Sequence, residues 1–195
     1  ADAEFISTMD KNLTERNAAA TSNNGEPQGI AYYEDLVSTE NSILEFENAT
    51  FKDEHLKKLA LDYIQGIKLQ QEAVEYSSDL TKFNEAWQQG LNERSVVITE
   101  LIEDYDLKIP DDAVRDFTST AKIVNENNAE KETVSKLFNS MLVERTETIG
   151  DYSYYQATVE NTTGYDFEYV NLSINLLKND VIVETVHSSI GVWKN

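Results

Sequence analysis

The sequence predicts an α+β chain, an antiparallel helical bundle followed by a small antiparallel β-sandwich-like module. Three observations carry this. Up to about residue 141, apolar residues recur at alternating three- and four-residue steps. From Leu142 the spacing drops to two, in segments rich in Tyr, Val and Thr. The breaks between segments are short and polar, as connections in a compact chain should be. The expected division is therefore a helical bundle domain over 1–141 and a β module over 142–195.

Each helix has its own stripe. Phe5, Met9 and Leu13 mark the first, and Ile30, Tyr33, Val37 and Leu44 the second. "TSNNGEP" (21–27) separates these two, and "ENATFKD" (47–53) separates the second from the third. The third, from about Asp53 to Tyr76, places Leu56, Leu59, Tyr63, Ile67, Gln70 and Val74 on one face, widened by Ala60 and Ile64. The fourth follows an N-cap at Ser78 or Asp79, with Leu80, Phe83, Trp87, Leu91, Arg94, Ile98, Leu101 and Tyr105 on its seam. Short connections make antiparallel packing the natural assembly.

After Tyr105 the pattern loosens. Pro110 with Asp111 and Asp112 predicts a short helix, because proline suits the first turn and acids suit its positive end. "NENNAE" (125–130) reads as a loop, and Glu132–Met141 as a last helix on Val134, Leu137, Phe138 and Met141.

The β segments are "LVERTETI", "YSYYQATVEN", "FEYVNLSINLL" and "VIVETVHS". Their breaks fall at Gly150-Asp151, at Thr163-Gly164-Tyr165-Asp166, and at Lys178-Asn179-Asp180, the last a hairpin turn. Short antiparallel strands at this spacing define a sandwich-like module.

Two arginines interrupt the apolar stripes. Arg94 occupies a seam position between Leu91 and Ile98, and Arg16 follows Met9 and Leu13. They form either an inward charged pocket for an anion, or a structural ion pair with a seam acid such as Glu40 or stems that snorkel. The second is expected, because a buried guanidinium needs a carboxylate.

Composition excludes several functions. Asp and Glu number 36 against 16 Lys and Arg, and the excess is shared: 28 acidic and 13 basic residues to position 140, 8 and 3 after it. Both parts repel phosphate backbones and anionic lipid surfaces, so no nucleic acid is expected as partner. There is no cysteine, hence no thiol nucleophile or Fe–S cluster. His55 and His187 stand in different parts without an HExxH spacing, so no zinc site is expected. No run of 18 apolar residues provides a transmembrane helix, and Ala1 opens no basic-then-apolar leader, which a mature chain would have lost.

Catalytic signals are equally sparse. Glu103, Asp104 and Asp106, or Asp111 and Asp112, are carboxylate sets of the kind glycosidases use, but they read as a solvated helix end and a cap. No EF-hand-like calcium loop is present. Asn161-Thr162-Thr163 is turn chemistry, and Trp87 and Trp193 are core residues. The sequence thus assigns no catalytic, cofactor-binding or metal residue.

"ATVENTTGYDFEYVNLSINLLKNDVIVET" resembles the core of the FxLYD domain, a small immunoglobulin-like module of Gram-positive surface lipoproteins. The naming pattern departs at Ile174-Asn175-Leu176-Leu177-Lys178, where the aromatic, tyrosine and aspartate positions are replaced. "FENATFKDEHLKKLALDYIQGIKLQQEAVEY" and "FNEAWQQGLNERSVVITELIEDYDLKIPDD" resemble the helical ectodomain that precedes this module in Firmicutes lipoproteins. The resemblance implies export, a lipid anchor on an N-terminal cysteine ahead of Ala1, and no known reaction. It also implies closing strands after "GVWKN", so either the β module is truncated or its sheet is completed by something else; an open strand edge is then expected to be covered by pairing with another copy of the chain or by the helical linker.

The function expected is that of a non-enzymatic cell-surface lipoprotein ectodomain, binding or scaffolding an envelope protein or ligand. The alternatives are an extracellular small-ligand-binding module with a cleft between bundle and β part, and a cytoplasmic interaction protein.

Overall fold

Asp53 caps the start of a 22-residue helix, Glu54–Glu75. Its carboxylate accepts hydrogen bonds from the backbone N–H groups of His55 (2.9 Å) and Leu56 (3.1 Å), donors that a helix start leaves unpaired. Asp79 does the same for the next helix through the N–H of Lys82, at 3.2 Å. A computed structural model describes residues 1–22, 29–139, 141–150, 152–179 and 181–195. Most of "TSNNGEP", and Asp151 and Asp180 of the expected breaks, lie outside the described residues.

In chain order, α1 is Asp2–Thr21, α2 Ile30–Ser38, a 3-10 helix Asn41–Asn48, α3 Glu54–Glu75, α4 Leu80–Tyr105 and α5 Asp111–Asn139. Strands β1 Glu144–Ile149, β2 Tyr152–Gln156, β3 Val170–Lys178 and β4 Val181–Ile190 follow. The chain is α+β, helical first and stranded last. It divides into two compact units, Ala1–Glu126 and Asn127–Asn195. The change from helix to strand comes after Asn139, close to where the apolar period changes.

In the first unit, α3 and α4 run antiparallel and make the most extensive contact between helices. Stripes from α1, the 3-10 helix, α3 and α4 close the core. Phe5, Met9 and Leu13 of α1 meet Ile43 and Phe46, then Leu56, Leu59, Tyr63 and Ile67 of α3, and Ile98 and Leu101 of α4. The rings of Phe5 and Phe46 meet edge to face at 5.4 Å.

Three expectations need correction. The second helix is not continuous: α2 ends at Ser38 and the chain resumes as a 3-10 helix at Asn41, with Glu40 outside helical geometry (φ −109°, ψ 6°). The "NENNAE" stretch is not a loop, because α5 runs through it from Asp111 to Asn139. It contains neither glycine nor proline, and its side chains all point to solvent, so nothing stops a helix already propagating. The fourth seam is also shorter than its stripe, since Leu80 is exposed.

In the second unit, β1 pairs antiparallel with β2, and β3 with β4, giving two separate two-stranded sheets. Ile174 faces Val186 and Leu172 faces Ser188 across the longer pair. Asn179 takes the left-handed conformation (φ 51°) that a tight hairpin turn requires. Outside the strands, Phe167 and Trp193 exchange both backbone hydrogen bonds (3.0 and 2.8 Å).

Candidate functional site

Among the described residues, a buried charged cluster in the first unit and an apolar cleft in the second stand out. The cluster forms because Glu40 sits at the break between α2 and the 3-10 helix, fully buried, facing α3 and α4. Arg94 meets it at 2.5 Å, as the seam position predicts, and Arg16 meets the same oxygen at 2.9 Å. The Tyr63 hydroxyl donates to the other Glu40 oxygen in a short hydrogen bond. Gln70 Oε1 accepts from both guanidiniums, at 3.0 Å each. Arg16 donates further to the Leu36 carbonyl (3.0 Å), and Arg94 donates to the Tyr63 hydroxyl (2.9 Å).

Two guanidiniums and one carboxylate leave a positive charge in surplus. Aromatic faces offset part of it: Arg16 lies 5.6 Å from the Trp87 ring centre and Arg94 5.2 Å from that of Tyr63. Burial, then repulsion by Arg94, lowers the Arg16 pKa to about 10, while Glu40 pulls it upward. Arg16 therefore stays charged at neutral pH. For Arg94 burial works against the charge, but Glu40 and Tyr63 outweigh it and hold the pKa above its ordinary value. Burial raises the Tyr63 pKa, so the phenol stays neutral and donates.

This arrangement joins α1, the α2 break, α3 and α4 through one carboxylate. Beside Arg16 lies a cavity of about 280 Å³, lined by Leu13, Leu91, Ile109 and Phe117 and rimmed by Asp112 and Asp116. Those carboxylates repel an anion, which favours the structural reading of the arginines over an anion pocket.

The α3–α4 crossing next to the cluster depends on two glycines. A Cβ at Gly90 would lie 2.6 Å from the Gly66 carbonyl oxygen and 2.7 Å from Gln70 Cγ. A Cβ at Gly66 would lie 2.6 Å from Arg94 Cγ. Backbone contact this close lets the long Gln70 and Arg94 side chains lie flat in the seam. Sequence reasoning missed the pair; two glycines inside helical stripes, where glycine is costly, were its signal.

The other singled-out residues fall in ordinary places. Glu103, Asp104 and Asp106 are exposed at the end of α4, Asp106 in the left-handed cap (φ 56°) and ion-paired to Lys108. Asp111 and Asp112 occupy the first turn of α5. Asn161 is buried within its turn: its amide donates to the carbonyls of Tyr165 (2.7 Å) and Trp193 (3.2 Å), and its oxygen accepts from the Thr163 N–H (3.1 Å). Neither tryptophan is a core residue as expected: Trp87 is half-buried over Arg16, and Trp193 is half-buried beside Phe138 and Phe167.

Among the described residues, the second unit has no comparable centre. Among its described residues only Val170 and Asn161 are buried. A cleft of about 650 Å³ is lined by Phe138, Tyr155, Leu172, Ile174, Leu176 and Trp193, among others. Ile174 and Leu176 of β3 and Val186 of β4 are more than two-fifths exposed. Each two-stranded sheet keeps its outer backbone edges unpaired among the described residues. Exposed apolar side chains beside an open strand edge are the features that strand addition uses.

Comparison with family models, curated proteins and solved structures gives no match to this chain. No helix among the described residues is long and apolar enough to cross a membrane.

Proposed function

We propose that this chain is the non-enzymatic ectodomain of a Gram-positive surface lipoprotein, binding an extended segment of another envelope protein through its C-terminal strands. The apolar cleft beside unpaired strand edges carries the reading. A partner strand placed there gains backbone hydrogen bonds from an edge and buries alternate side chains against Leu172, Ile174 and Leu176. The resemblance of residues 157–185 to the FxLYD module supports the surface address. The residues from 141 onward hold 8 acids against 3 bases, so the partner segment is neutral or basic. In the first unit the most elaborate polar cluster is spent on internal hydrogen bonds, which supports a scaffold rather than a catalyst.

Two measurements test this. An Ile174→Ser/Leu176→Ser variant with unchanged circular dichroism should lose retention by immobilised cell-envelope proteins, whereas Lys11→Ala should keep it; equal retention by all three chains overturns the strand surface. The codons ahead of Ala1 should encode a leader ending in a lipobox cysteine. A cytosolic start in their place overturns the address.

A further inference from the structure

We propose that His55, Glu100 and Asp104 form a surface site for one divalent transition-metal ion, with zinc as the reference cation. His55 is the second residue of α3, and Glu100 and Asp104 stand one turn apart near the end of α4. His55 Nε2 lies 3.1 Å from Glu100 Oε1 and 3.8 Å from Asp104 Oδ2. One donor atom from each residue lies within 4.8 Å of the other two. A tetrahedral zinc ion with ligands at about 2.0–2.2 Å separates its donors by about 3.3–3.6 Å. The two imidazole distances bracket that range, so an ion enters with only small side-chain movements.

Neighbours hold the imidazole in place. Its ring stacks on Tyr105 at 6.1 Å with 27° between the planes, and the Tyr105 hydroxyl donates to Asp53 at 3.0 Å. Two carboxylates thus converge on a single imidazole. Lys58, which Glu100 influences, is bonded to Asp62 instead. With the imidazole neutral, the site carries two negative charges at close range, and a dication relieves that repulsion. The nitrogen ligand favours a first-row transition ion over calcium or magnesium, which take oxygen. All three side chains are partly exposed, so a remaining coordination position faces solvent and takes water or a donor from another molecule. The bound ion would tie the first turn of α3 to the last turns of α4.

Calorimetric titration of zinc chloride into the whole chain, with histidine NMR signals followed in parallel, tests the site. The expected result is one saturable ion per chain, a shift of the His55 signal alone, and a raised melting temperature. His55→Ala and Glu100→Gln should each weaken binding by on the order of tenfold or more, and His187→Ala should leave it unchanged. The His55 backbone N–H, not its side chain, serves the Asp53 cap, so the alanine variant keeps the helix start. Absence of saturable binding overturns the proposal. So does equal affinity in His55→Ala, which would mean diffuse attraction to the acidic surface, or displacement by equimolar calcium.

Discussion

The two units solve the problem of polar groups in opposite ways. In the first, a closed apolar core of helix stripes surrounds a charged cluster in which Glu40 and Arg94 are fully buried. In the second, strands of comparable apolar content leave Ile174, Leu176, Leu177, Val181 and Val183 exposed. Helices satisfy their own backbone, so the first unit can seal itself once its stripes meet. A two-stranded sheet cannot: each strand has one unpaired edge, and one face needs a cover. The first unit is therefore where single substitutions should destabilise. The second is where they should alter association.

The largest effect is expected at Glu40. Glu40→Ala leaves two guanidiniums in the core and should cost about 4 kcal/mol; Arg94→Ala should cost about 3 kcal/mol, because Arg16 still neutralises Glu40. Urea melts measure both, and curves superimposable on the parent would show that the cluster contributes nothing. Next come the glycines. Gly90→Ala drives a methyl into the Gly66 carbonyl and should cost about 2 kcal/mol, whereas Gly191→Ala, with open space around it, should change little. Similar losses at the two positions would erase the contrast between the units.

Substitutions on the strand surface should register less in stability. Ile174→Ser should cost under about 1 kcal/mol, as an exposed site does, and backbone amides of β3 and β4 should exchange faster than those of α3 and α4. Equal protection in the two units would mean that the strands are already covered.

The smallest effect is a pH dependence at Asp53. Hydrogen bonds from the Leu56 N–H, the Tyr105 hydroxyl and the His55 N–H hold its pKa below the ordinary 3.8. Its stabilising effect is therefore present above that value and lost as pH falls through the depressed one. The difference in melting temperature between the parent and Asp53→Ala should be steady at neutral pH and shrink in acid. A difference independent of pH would remove the carboxylate from the account.

Periodicity alone placed α3 within one residue of Asp53–Tyr76 and narrowed the cap of α4 to Ser78 or Asp79, because stripes and caps are local properties of the chain. The four β segments were legible for the same reason, as was the need for a carboxylate opposite Arg94. Tertiary structure decided what depends on distant neighbours. It broke the second helix to place Glu40 inside, brought Arg16 and Gln70 from opposite sides of that break, and set Gly66 against Gly90. It carried α5 through "NENNAE", where polarity alone could not distinguish an exposed helix from a loop. His55 met Glu100 and Asp104, 45 and 49 positions away, only because α3 and α4 fold back on each other. A stripe records which face is buried, whereas the identity of the opposing side chain is fixed by how whole helices cross.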